Sequence, residues 1–134
     1  MFKIVAVYSP VLLKQGFTFE TELFQRELDA QIVLLPHKTT PREVLYEHLA
    51  DADALLTDYQ QVDEDLLAHA PSLQCVSLLS TGYNVVDIPA AKKAGVSICH
   101  VREYCTQEVA EHTMALLLAL TRNVRTYITD IEKG

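Results

Sequence analysis

The chain has 134 residues and a mass of 15.0 kDa, is 49% hydrophobic and 22% charged, and so has the profile of one folded domain that buries about two thirds of its unfolded surface. Eighteen acidic residues against eleven basic ones give a formal charge of -7, and only Lys92-Lys93 sets two basic residues side by side, which excludes a nucleic-acid or anionic-membrane surface. The four glycines, Gly16, Gly82, Gly95 and Gly134, stand too far apart for a G-x-G-x-x-G or G-x-x-x-x-G-K loop, so the chain carries no nucleotide-phosphate loop of its own.

At the amino terminus, Ile4-Val5-Ala6-Val7 is broken by Tyr8-Ser9-Pro10, and no small-residue cleavage site follows, so residues 2–7 read as a strand rather than a leader. Further short, nearly continuous apolar runs lie at 31–35, 54–57, 75–79 and 96–99. Runs without alternation belong to strands covered on both faces, the mark of a parallel sheet. Between them the spacing predicts helices. Residues 18–29 set Phe19, Leu23, Phe24 and Leu28 on one side, and residues 41–50 do the same with Val44, Leu45 and Leu49. Thr40-Pro41-Arg42-Glu43 has the form of a capping box with proline as the first helical residue. Shorter helices follow at 63–69, stopping before Pro71, and at 87–94, ended by Gly95 in a left-handed conformation. Five βα units with such short connections require right-handed crossovers. The predicted fold is α/β, a five-stranded parallel sheet in the flavodoxin-like order 2-1-3-4-5.

After the fifth strand a long helix is expected from Thr106, as its cap, to about residue 122. Val109, Thr113, Leu116, Leu117 and Leu120 lie on one side, and an apolar stretch at 114–120 points to burial between two bodies. That stretch is far below the about 20 residues needed to cross a bilayer. Cys75, Cys99 and Cys105 are odd in number, without C-x-x-C spacing, and read as free, small, buried hydrophobes in a reducing compartment. A soluble, cytoplasmic protein is expected.

In an open parallel sheet, ligands bind beyond the carboxyl ends of the strands. There the most informative segment is Ser80-Thr81-Gly82-Tyr83-Asn84, where backbone N–H groups at Thr81 and Gly82 can form an anion nest for a carboxylate; the plainer reading is a turn that needs glycine for a positive φ. Tyr59 and Tyr104 follow the third and fifth strands and are either ligand contacts or half-buried packing residues. His112, four residues after Glu108, reads as a surface helix pair, and His37, His48, His69 and His100 show no metal-ligand spacing. Asp58 and Thr81 match two positions of a receiver domain of two-component signalling, but Tyr8-Ser9 stands where its acidic pair would hold Mg²⁺ and Arg102 where its lysine would be.

The stretch Ser80-Thr81-Gly82-Tyr83-Asn84-Val85-Val86-Asp87, then Ala90-Ala91, Gly95-Val96, and Tyr104-Cys105-Thr106-Gln107-Glu108-Val109-Ala110-Glu111-His112-Thr113 before Ala115-Leu116-Leu117-Leu118-Ala119 resembles the D-isomer-specific 2-hydroxyacid dehydrogenases. Asp58-Tyr59-Gln60-Gln61-Val62-Asp63 resembles the matching loop of the D-lactate dehydrogenase branch, whereas Asn84-Val85 departs from the usual Asp-Asn after the glycine turn. The resemblance implies a substrate domain at 1–104, a linking helix at 105–134, and a Rossmann NAD-binding domain outside the chain. It implies that the Thr81 and Gly82 amides bind the substrate carboxylate, that Tyr59 and Tyr104 line the pocket, and that Thr81 also touches NAD(H). The acid/base His, its Glu partner and the carboxylate-binding Arg are expected outside the chain, and His112 is not the catalytic histidine. By this resemblance the chain is part of an NAD-dependent enzyme reducing a small 2-oxo acid, inactive alone, without a tightly bound cofactor or a metal, and a homodimer or self-associating through the linking helix. The alternative is a stand-alone carboxylate-binding or protein-interaction module of the same fold.

Overall fold

The computed structural model describes residues 1–134, with the side chain of Gln15 outside the described set. Two units form, Met1–Arg102 and Glu103–Gly134. In the first, strands β1 (Phe2–Tyr8), β2 (Ala30–Pro36), β3 (Ala54–Thr57), β4 (Cys75–Leu78) and β5 (Ser97–Cys99) make one sheet in the order β2-β1-β3-β4-β5, with every neighbouring pair parallel. The order and direction are those the apolar runs predict.

The two sheet faces are packed differently. Helices α3 (Arg42–Leu49), α4 (Glu64–Ala68) and α5 (Ile88–Ala94) lay Leu45, Leu49, Leu66, Leu67, Ala90 and Ala91 on a face made by Val5, Val7, Leu55, Val76 and Leu78. The opposite face is thinner: Ile4, Ala30 and Ala54 form its buried centre, with Phe24 of α2 (Thr18–Leu28) packed against them. A short helix α1 (Pro10–Gln15) precedes α2 and was not expected. Ser9, read as part of a break, caps it by accepting the Leu12 N–H at 3.4 Å, with Pro10 in the first turn, where a missing N–H costs nothing.

Helix caps correct the expectations in two further places. Helix α3 begins after Pro41 without a side-chain cap, because the Thr40 hydroxyl donates instead to the Pro36 carbonyl at 2.8 Å in the turn leaving β2. Asp63 does cap α4, accepting the Leu66 N–H at 2.9 Å, while also taking two hydrogen bonds from Arg42 at 2.6 and 2.7 Å. Burial alone would raise the Asp63 pKa; Arg42 and the Leu66 amide outweigh it and hold the carboxyl below its usual range. The stability this supplies is complete above the ordinary carboxylate pKa and is lost as pH falls toward the lowered one. Asp63→Ala removes cap and Arg42 partner together and is expected to cost about 1–2 kcal/mol in urea unfolding at neutral pH, with a smaller difference in acid.

The second unit contains α6 (Thr106–Thr121) and α7 (Val124–Lys133), separated by Asn123 in a left-handed conformation. Thr106 is the first residue of α6 rather than its cap; Cys105 holds the cap position without a side-chain bond. Helix α7 was not anticipated, although Val124, Ile128 and Ile131 carry helical spacing. Glu108 and His112 form no ion pair among the described residues; Gln107 donates to Glu111 at 2.8 Å instead. Val109, Leu116, Leu117 and Leu120 of α6 are exposed, so burial is not what this chain gives them. No helix of the described residues is long and apolar enough to cross a membrane.

Candidate functional site

At the carboxyl edge of the sheet the loops after β3 and β4 are tied together. Val62 pairs in parallel with Val86, its N–H donating to the Val85 carbonyl and its own carbonyl receiving the Asp87 N–H, both at 2.9 Å. Where β1 and β3 end, the Thr57 hydroxyl donates to the Val7 carbonyl at 3.0 Å and accepts the Gln60 N–H at 3.1 Å. The 58–62 loop, with Tyr59, is thereby anchored at both ends beside the 79–86 loop, with Thr81 and Gly82.

Within the 79–86 loop, the Ser80 hydroxyl donates to the Gly82 carbonyl at 2.8 Å, and the Tyr83 carbonyl receives the Val86 N–H at 3.0 Å. The N–H groups of Thr81 and Gly82 have no partner among the described residues, and both residues are exposed. Unpaired donors on a held turn are ready for an acceptor, and a carboxylate with two oxygens suits them. Gly82 does not adopt a positive φ, so the plainer reason for a glycine is not the operative one. A Cβ there would lie 3.2 Å from Asn84 Oδ1, tighter than an ordinary contact, so the Asn84 side chain would have to give by a few tenths of an ångström. Asn84, the residue that departs from the family pattern, thus packs against the turn.

His100 is the residue that the spacing did not single out. It follows β5 directly, and its Nδ1 donates to the Thr81 carbonyl at 2.9 Å while its ring meets the Tyr83 ring edge-on at 5.3 Å. A carbonyl can only accept, so the proton sits on Nδ1. Val101 N–H adds a bond to the Ser80 carbonyl at 3.1 Å. The turn is braced from β5. The register β4 to β5, Ser77 opposite Cys99, was the available signal.

Tyr59 is 65% exposed, with its ring 6.4 Å from that of His37, so it is not the half-buried packing residue that the plainer reading offered. Tyr104 belongs to the second unit, just before α6, and is 63% exposed. Asp58 is 7% exposed: Oδ1 accepts the Tyr59 N–H at 2.9 Å, and Oδ2 is buried without a partner. A phosphoacceptor must be open to its donor, so the receiver arrangement does not fit. Of the cysteines, all unpaired, Cys99 is exposed and Cys75 only partly buried, which corrects the expectation of buried thiols; burial still pushes the Cys75 thiol pKa up. No group of three metal-ligating side chains occurs among the described residues. The β1–α1 turn has Ser9 capping α1 and no glycine, so it offers no cradle for a dinucleotide pyrophosphate, and this chain's residues do not fit the phosphate half of a nicotinamide cofactor.

The domain is thus a doubly wound parallel α/β sheet with a braced, donor-bearing turn beyond β4. The D-isomer specific 2-hydroxyacid dehydrogenase catalytic domain matches residues 5–133, and the chain belongs to that family. It is 32% identical to the glyoxylate reductase of Pyrococcus furiosus over 79% of this chain and 29% of that protein. It is also 32% identical to the glycerate dehydrogenase of Methylorubrum extorquens over 71% of this chain and 30% of that protein. In fold it is similar to the D-lactate dehydrogenase of Aquifex aeolicus complexed with NAD and lactic acid, with a TM-score of 0.68, 21% identity, and 97% of this chain matched to 37% of that one. The chain therefore spans about three tenths of the length of these two sequence relatives.

Proposed function

We propose that this domain supplies the substrate-carboxylate site of an NAD-dependent reductase that converts a small 2-oxo acid to the D-2-hydroxy acid. The observation that carries the reading is the pair of unpaired, exposed N–H groups at Thr81 and Gly82 on a turn fixed by His100, Ser80 and Val101. Two amide hydrogen bonds to an ionised carboxylate are each stronger than a neutral bond and fix the acid's orientation. Tyr59 lines the pocket beside the turn, and Thr81 also contacts the nicotinamide cofactor held by a domain outside this chain. The glyoxylate reductase and glycerate dehydrogenase named above support glyoxylate or hydroxypyruvate as the acid, rather than assignment to the D-lactate branch. NAD brings the hydride; this chain binds and orients the acid and holds neither the pyrophosphate nor an acid/base histidine.

Joined to the remainder of its gene product, the domain is expected to support NADH-dependent reduction of glyoxylate or hydroxypyruvate. The 134-residue chain alone is expected to leave NADH absorbance unchanged, and turnover that tracks the 15.0 kDa species contradicts the assignment. On the stand-alone module reading, the chain by itself binds a 2-oxo acid saturably without NADH and takes part in no turnover. Self-association belongs to the same proposal. Leu116, Leu120, Val124 and Ile128 line an apolar groove of about 310 Å³ between α6 and α7. Exposed apolar surface of this kind drives association. Sedimentation velocity is expected to give an apparent mass that rises with concentration; a monomer insensitive to dilution counts against it.

A further inference from the structure

The Thr81 carbonyl and the Gly82 N–H are the two ends of one planar peptide group, and the Ser80 carbonyl and the Thr81 N–H are the two ends of the one before it. Each of these carbonyls is taken by a donor from beyond β5: the Val101 N–H reaches Ser80 at 3.1 Å, and His100 Nδ1 reaches Thr81 at 2.9 Å. A hydrogen bond on a peptide oxygen draws electron density from the nitrogen and makes the N–H at the other end a better donor. The two N–H groups free to hold a carboxylate are thus those of the two peptides so polarised. The donors differ in kind. Val101 offers a backbone amide whose charge never changes, whereas His100 offers an imidazole, the side chain suited to gain or lose a proton near neutral pH. Because Nδ1 already holds its proton against the Thr81 carbonyl, a second proton enters at Nε2 and turns that bond from a neutral into a charge-assisted one without breaking it. The 79–86 loop packed against the ring carries one titratable side chain, Tyr83, and no acid, and His100's own segment continues with Arg102 and Glu103. His100 forms no ion pair among the described residues.

We propose that His100 is a positioning residue that acts through the Thr81–Gly82 peptide, and that its second proton tightens the hold of the Gly82 N–H on the substrate carboxylate. This rests on the carboxylate site proposed above and adds a proton to it: the acid binds best to the form of the chain in which His100 is an imidazolium. The positive ring and the carboxylate lie on opposite sides of one peptide, so their attraction adds to the polarisation of the N–H. The coupling is mutual. The factor by which the proton raises affinity for the acid is also the factor by which the bound acid raises the proton affinity of His100.

Oxamate, which stays ionised throughout this range, is titrated into the isotopically labelled chain at pH 7.5 and at pH 5.5, with binding followed at the Thr81 and Gly82 amides and protonation at the His100 ring. Binding is expected to be about threefold to tenfold tighter at pH 5.5, and saturating oxamate to move the His100 titration midpoint upward by about half to one pH unit. His100→Asn keeps an N–H donor close to the place of Nδ1 but takes up no proton. It is expected to bind within about threefold of the unaltered chain at pH 7.5 and to lose the tightening at pH 5.5, whereas His100→Leu, with no donor, is expected to bind about tenfold more weakly at both. A brace that acts by shape alone gives one affinity at the two pH values. Equal affinities in the unaltered chain, or a tightening that survives in His100→Asn and so belongs to another group, overturn the proposal and leave the carboxylate site standing. No binding at Thr81 and Gly82 at either pH overturns the carboxylate site and this proposal with it.

Discussion

Replacing Gly82 with valine is expected to weaken binding of oxamate, a non-reactive 2-oxo acid analogue, by at least about tenfold while leaving the fold intact. The reason lies in the distances around the turn. An added Cβ meets Asn84 Oδ1 at 3.2 Å, and a β-branched side chain adds two further heavy atoms beside it. Either the Asn84 side chain or the turn must shift. The turn is pinned by the bonds from His100 to the Thr81 carbonyl and from Ser80 to the Gly82 carbonyl, so displacement re-aims the two free N–H groups. Losing one charge-assisted bond costs about 1.5–3 kcal/mol, or roughly ten- to a hundredfold in affinity. Gly82→Ala is expected to do less, since Asn84 needs to give by only a few tenths of an ångström. An exposed loop position contributes within about 0.5 kcal/mol to stability, so urea midpoints separate a lost site from a lost fold. Full oxamate affinity in Gly82→Val contradicts the role given to this turn.

Leu55→Ala is expected to destabilise the chain by about 2–5 kcal/mol, a large part of the about 5–15 kcal/mol that holds a domain of this size. Leu55 is completely buried in the middle of the sheet, flanked by Val5 of β1 and Val76 of β4, in the core that α3, α4 and α5 cover. Both neighbouring strands and three helices fix its surroundings, so the cavity left by truncation cannot collapse. Leu79, on the opposite face and half exposed, is the control: Leu79→Ala is expected to change stability by less than about 1 kcal/mol. Urea unfolding of both variants checks the contrast. Equal losses contradict the unequal packing of the two faces.

The sheet was legible because its strands are covered on both faces where they matter most, and continuous apolar runs such as Ile4-Val5-Ala6-Val7 need no tertiary information to read. Short connections then restrict the topology to few choices. Helix starts were less legible, since Ser9-Pro10 and Thr40-Pro41 carry the same local signal, yet one hydroxyl caps a helix and the other bonds back to a strand end. Which occurs depends on where the preceding strand ends. Helix α7 was overlooked although Val124, Ile128 and Ile131 have helical spacing.

At the site, residue types were readable and their geometry was not. Thr81 and Gly82 stand out as a polar turn after an apolar run, but the use of glycine for a close approach to Asn84 rather than for a positive φ requires the backbone. His100 is nineteen residues from the carbonyl it holds, and only the pairing of β4 with β5 brings them together. Asp58 stands in a polar segment, yet it is buried beside Thr57, whose hydroxyl stitches β3 to β1.

The most direct test of the carboxylate site is a titration of the ¹⁵N-labelled chain with oxamate, followed amide by amide. The expected result is saturable binding, with the largest shifts at Thr81 and Gly82 and smaller ones at Tyr83 and His100, persisting in the absence of NADH. Saturable shifts confined to other amides, or no change at Thr81 and Gly82 at any oxamate concentration, contradict it.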